Sequence, residues 1–86
     1  MSHAAKALIV ITGASSGIGL ATAKLLSSRG HALLLLARRV EPMNALNLPN
    51  TLCRAVDVTD IDAFSAAVKE AQQQFGPIDA LVNNAA

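Results

Sequence analysis

Eight consecutive residues constrain this chain more than any others: Thr12-Gly13-Ala14-Ser15-Ser16-Gly17-Ile18-Gly19. They follow Ala7–Thr12, a short apolar run rich in β-branched residues that reads as a strand buried on both faces. They lead into Ile18–Arg29, mostly good helix formers. A glycine pattern alone is weak, but one placed between a strand and a helix has a mechanical meaning. Gly13 permits a tight exit from the strand, Gly17 lets a phosphate approach the backbone, and Gly19 lets the helix pack against the sheet. The helix N-terminus then offers free N–H groups and partial positive charge to a pyrophosphate, with Ser15 and Ser16 as added hydroxyl donors. The plainer alternative is a Gly/Ser turn that holds nothing. A P-loop is disfavoured, because no Gly-Lys-Ser/Thr is present.

The remaining elements follow the same alternation. The first helix is expected to bury Ile18, Ala21 and Leu25, with Thr22 on the same face, and to end at Gly30. His31–Ala37 is a second continuous apolar strand. In Arg38–Asn50, Pro42, Asn44, Asn47, Pro49 and Asn50 predict a loop with at most one helical turn. Leu52–Val56 is a third strand. Thr59 or Asp60 caps the next helix, whose stripe Ile61, Phe64, Val68, Ala71, Phe75 has 3, 4, 3, 4 spacing. Gly76-Pro77 stops it, and Ala80–Val82 is a fourth strand. Right-handed crossovers place the strands in the order 3-2-1-4, a partial Rossmann-type doubly wound α/β fold with a parallel sheet. The fourth strand becomes an open apolar edge.

Composition narrows the function classes. The 86 residues suffice for one small domain, 15% of them charged with a net charge of +1. Neither a basic stripe nor a stacking platform for nucleic acid is visible, and Phe64 and Phe75 read as core. Cys53, the single cysteine, excludes an internal disulfide and a cysteine-based zinc site and is expected to be an inert buried thiol; no metal is expected. No signal peptide or membrane span is expected, so the cytoplasm is the default compartment.

Ala37-Arg38-Arg39 closes the second strand, where dinucleotide folds meet the adenosine ribose. A carboxylate there binds the 2′-OH of NAD, whereas arginine accommodates the 2′-phosphate of NADP. Arg38 can pair with the phosphate through a bidentate guanidinium, and Arg39 can stack on adenine or share the phosphate. The alternative is two solvated surface arginines.

With these motifs in order, the chain resembles the short-chain dehydrogenase/reductase family over residues 7–86. That family's Thr-Gly-x3-Gly-x-Gly matches Thr12 to Gly19. Its Asp-Val after the third strand matches Asp57-Val58, and its Asn-Asn-Ala-Gly matches Asn83-Asn84-Ala85 but not Ala86. The resemblance implies NADP, with NAD less favoured, held by Gly13, Ser15, Ser16, Gly17, Ile18, Gly19, Arg38 and Arg39. It also implies adenine contacts at Asp57 and Val58, and ribose and phosphate contacts at Asn84, Ala85 and Ala86. Asn83 would tie neighbouring strands, and Asp57 reads equally well as a capping carboxylate. The whole protein would move hydride between NADP(H) and a small-molecule carbonyl or alcohol, as a homo-oligomer. The family's Ser and Tyr-x3-Lys are not in this chain, which has no tyrosine. Residues 1–86 are therefore expected to be the N-terminal part of one dinucleotide-binding domain, lacking its catalytic part. The other reading is a non-catalytic dinucleotide-binding module or a truncated inactive product.

Overall fold

A computed structural model describes residues 6–84. Seven elements follow in chain order: β1 (Lys6–Thr12), α1 (Gly17–Ser28), β2 (His31–Ala37), α2 (Glu41–Asn44), β3 (Thr51–Ala55), α3 (Ile61–Phe75) and β4 (Ile78–Asn83). The four strands form one parallel sheet in the order β3-β2-β1-β4. This is the topology the alternating pattern predicts. The loop after β2 contains one short helical turn, α2, with Pro42 in its first turn where a missing N–H costs nothing.

The alternation of side chains along the central strands divides the core in two. Leu8, Val10, Ala32, Leu34 and Leu36 face α3, where Ala67 and Ala71 are buried and Phe64, Val68 and Phe75 pack against them. Ile9, Ile11, Leu33, Leu35 and Ala37 face the other way, toward α1 and the Val40–Leu48 segment around the buried Met43. Because β2 is central and covered on both faces, Leu33 to Leu36 are all completely buried. Each such leucine contributes about 1.5–3 kcal/mol.

The helices depart from expectation in one respect. The buried residues of α1 are Gly19 and Ala23, while Ile18 is 74% and Leu25 51% exposed and Ala21 faces solvent as well. The helix thus lies about a third of a turn away from its predicted orientation. The reason is Gly19. A Cβ there would sit 2.5 Å from the Gly13 carbonyl oxygen and 2.8 Å from Ala14 Cα, so this side is drawn against the loop more closely than any leucine face permits. The apolar stripe of α3 is placed as expected except at Ile61, which is exposed in the first turn, and Ala67 joins the buried face.

The ends are conventional. Ser16 caps α1 and Asp60, not Thr59, caps α3 by accepting from the Ala63 N–H at 3.1 Å. Gly30 takes a positive φ of 91° just past α1. β4 starts at Ile78, earlier than predicted, with an irregularity opposite Leu8/Ile9. It is the sheet edge, and Leu81 is 55% exposed there. Cys53 is half-buried rather than buried, because β3 is the opposite edge; burial still pushes its thiol up, away from the reactive thiolate. Arg54 of β3 grips Glu70 of α3 through two of its guanidinium nitrogens, Nε to Oε1 at 2.9 Å and Nη2 to Oε2. Among the described residues no helix is long and apolar enough to cross a membrane.

Candidate dinucleotide site

Parallel strands deliver all their carboxyl ends to one edge of the sheet, and the strand order reverses between β1 and β4. Four segments leave that edge, and those after β1, β3 and β4 are each held by a backbone bond that extends the sheet. The Ala14 N–H donates to Leu36 O at 3.1 Å, the Val56 N–H to Ala37 O at 2.8 Å, and the Asn84 N–H to Thr12 O at 3.3 Å. Between them lies a cleft of about 550 Å³.

The first wall is the β1–α1 loop. Gly13 adopts a φ of 64°, which lets the chain turn sharply out of β1. Its carbonyl accepts from the Ser16 N–H at 3.3 Å, the Ser16 hydroxyl at 3.1 Å and Asn84 Nδ2 at 3.2 Å. Ser16 Oγ in turn accepts from the Gly19 N–H at 3.3 Å and from Asn84 Nδ2 at 2.9 Å. The Ser16 hydroxyl thus donates to Gly13 while its oxygen caps α1. The N–H groups of Gly17 and Ile18 have no partner among the described residues, and α1 has no acidic residue in its first turn. Those two donors and the helix dipole form the positive feature of this wall.

The second wall is the end of β2. Ala37 lines the cleft without offering a carboxylate, and Arg38 and Arg39 follow it, both exposed. Opposite stand Val56, Asp57, Val58 and Thr59 after β3. Asp57 Oδ1 accepts from the Thr59 N–H at 3.0 Å and from the Thr59 hydroxyl at 2.8 Å, while Oδ2 lies 3.6 Å from Arg38 Nε. The Thr59 bonds first, and Arg38 less, hold the Asp57 carboxyl below the usual carboxylate range.

Of the residues singled out from sequence, Gly13, Ser15, Ser16, Arg38, Arg39, Asp57, Val58 and Asn84 line this one cleft. Gly17, Ile18 and Gly19 form the first turn of α1 beside it, and Ala85 and Ala86 lie outside the described residues. Asn83 accepts from the Thr12 hydroxyl at 2.8 Å, joining β4 to β1. Thr59 and Val56 were not anticipated as lining residues. An Asp followed two residues later by Thr is the pattern of a side chain that bonds its own backbone, and that signal was available at Asp57. No group of three or more His, Cys, Asp or Glu residues able to hold a metal occurs among the described residues.

Comparison with known proteins agrees with this fold. The family model for short chain dehydrogenase matches residues 7–86. The chain belongs to the short-chain dehydrogenase family. Among curated relatives it is 39% identical to a probable NADP-dependent dehydrogenase of Dichelobacter nodosus, with 91% of this chain and 76% of that protein covered. Among solved structures it superimposes on L-sorbose reductase from Gluconobacter frateurii, complexed with NADPH and L-sorbose, with a TM-score of 0.81 and 36% identity. That match covers 96% of this chain and 34% of that one. It also superimposes on a 3-ketoacyl-(acyl-carrier-protein) reductase from Brucella melitensis complexed with NADH, with a TM-score of 0.80 and 28% identity. There it covers 90% of this chain and 33% of the other. The chain spans about a third of the length of most curated relatives it matches, for example 36% and 35%. Within this short-chain dehydrogenase, the described cleft occupies the sheet edge where a nicotinamide dinucleotide is accommodated in doubly wound folds.

Proposed function

We propose that this chain holds NADP(H) in the cleft between β1, β2 and β3, as the coenzyme-binding part of an oxidoreductase acting on a carbonyl or alcohol. The observation that carries this reading is the convergence of two unlike anion-attracting features on one cleft. One is the N-terminus of α1 with the unpartnered N–H groups of Gly17 and Ile18. The other is the Arg38-Arg39 pair at the end of β2.

The division of labour follows from the chemistry of the donors. Backbone N–H groups and a helix dipole suit the diffuse charge of a pyrophosphate. A guanidinium suits a compact phosphate dianion, which it grips through parallel N–H bonds. Ala37 stands where a carboxylate would accept from a ribose hydroxyl, and offers none. The half-exposed apolar surface of Val58 suits an adenine face. When bound, the dinucleotide supplies the hydride chemistry at its nicotinamide ring, and the protein supplies placement and electrostatics. The residues of this chain bind and orient; with no tyrosine among them, they do not themselves supply the family's tyrosine-centred proton transfer. The full-length protein is proposed to be a cytoplasmic homo-oligomer.

Fragments of the coenzyme test this directly. Calorimetric titration with 2′,5′-ADP and with 5′-AMP isolates the 2′-phosphate. Tighter binding of 2′,5′-ADP by about tenfold or more supports the reading. Equal binding of the two would leave a dinucleotide cradle with no preference for NADP.

A further inference from the structure

Asp57 stands at a seam of the cleft, and its two oxygens are used differently. Oδ1 takes two hydrogen bonds from a single residue, Thr59: the backbone N–H at 3.0 Å and the hydroxyl at 2.8 Å. Two donors on one oxygen fix the plane of the carboxylate. Oδ2 is thereby turned toward the end of β2, where it lies 3.6 Å from Arg38 Nε. The Arg38 side chain is 82% exposed, and Asp57 is its one ionic partner among the described residues.

A carboxylate beside a phosphate-binding arginine looks like a handicap, since like charges repel. The geometry resolves this. Asp57 faces Nε, the inner nitrogen of the guanidinium, and leaves the outer pair of nitrogens open. An outer pair of guanidinium nitrogens is suited to bidentate phosphate contact while Nε stays beside Asp57. A long exposed arginine loses rotamer freedom when it binds, and one already held from behind loses less. Thr59, by fixing Asp57, supplies that hold at second hand. It is itself exposed, so its hydroxyl is not required for the core.

We propose that Thr59 is a positioning residue for coenzyme specificity: by fixing Asp57 it aims the Arg38 guanidinium, and so strengthens the preference for a 2′-phosphorylated nucleotide. The inference rests on the reading of Arg38 given above and adds a residue that acts on it through Asp57. Exposed ion pairs of this kind shift an equilibrium by about one and a half to fivefold. The effect of removing the hydroxyl is accordingly modest and selective.

The test is a set of dissociation constants for NADPH and NADH, measured by calorimetry on the wild-type protein, Thr59→Val and Thr59→Ser, each with Arg38 present and in an Arg38→Gln background. Thr59→Val is expected to weaken NADPH about threefold more than NADH. Thr59→Ser, which keeps the hydroxyl, restores the wild-type ratio. In the Arg38→Gln background Thr59→Val has no further effect, since the two substitutions act through one contact. Equal weakening of both nucleotides, no weakening of NADPH, or the same loss without Arg38 would each overturn the proposal. A wild-type protein that prefers NADPH but ignores Thr59→Val defeats this inference alone. A wild-type protein that binds both nucleotides equally defeats the reading of Arg38 and this inference with it.

Discussion

Asn84 Nδ2 donates to Ser16 Oγ at 2.9 Å, which ties the end of β4 to the first turn of α1 across 68 residues of sequence. The same nitrogen donates to Gly13 O at 3.2 Å. One amide thus fixes both the turn out of β1 and the cap of the helix whose N–H groups face the cleft. Asn84→Ala removes both bonds and is expected to cost about 1–2 kcal/mol. Ser16→Ala removes the cap and is expected to cost about 1 kcal/mol. Because they share a bond, the double variant is expected to lose less than the sum. Urea unfolding of the three variants checks this, and strict additivity would show that the pair is not coupled.

Two glycines two residues apart are expected to behave oppositely. A Cβ on Gly19 meets Gly13 O at 2.5 Å and Ala14 Cα at 2.8 Å, both backbone atoms, whereas a Cβ on Gly17 meets nothing within 4 Å. Gly19→Ala therefore forces α1 off the loop, at a cost of about 1–3 kcal/mol or more. Gly17→Ala leaves stability unchanged or slightly raised, since alanine favours the helix. If a phosphate approaches the backbone at Gly17, the same stable variant binds dinucleotide more weakly. Thermal melts paired with NADPH titrations separate the two effects.

Acid is expected to destabilise the fold through two carboxylates in particular. The Arg54 guanidinium holds Glu70 below its ordinary range, and Thr59 holds Asp57 below its own. A depressed pKa means that the folded state favours the charged form. Its contribution is complete above the unfolded pKa, about 4, and disappears as pH falls through the lower folded value. Melting temperature is expected to be flat from about pH 7 to 5 on account of these groups and to decline below about pH 4. Glu70→Gln should show a shallower decline across the acid limb. An identical limb in that variant would show that the β3–α3 ion pair carries no linkage.

Much of this architecture is written in local pattern. The continuous apolar run His31–Ala37 can only be a central strand, and it is buried on both faces. The 3-4 spacing from Phe64 to Phe75 identifies the inner face of α3, where Phe64, Val68 and Phe75 pack. The cleft-lining residues were legible for a related reason: in a parallel sheet they cluster because they follow strands, and position in the chain therefore gives position in space. What pattern did not reveal was set by close contact. The face of α1 was misjudged because hydrophobicity ranks Ile18 and Leu25 above Gly19, whereas proximity to Gly13 ranks Gly19 first. The cap bond of Ser16 and its Asn84 partner are invisible without coordinates. Thr59 was read only as a candidate helix cap, because its work is done on a neighbour, Asp57.

The central claim is that the end of β2 reads a 2′-phosphate through Arg38. The most direct measurement is the ratio of NADPH to NADH dissociation constants in the wild-type protein and in Arg38→Asp. The wild-type protein is expected to favour NADPH by about 10- to 100-fold, the worth of one charge-assisted arginine–phosphate contact. Arg38→Asp is expected to abolish or invert that ratio with NADH affinity retained, since the pyrophosphate wall at Gly17 and Ile18 is untouched. An unchanged ratio in Arg38→Asp, or a wild-type protein that favours NADH, would contradict the account.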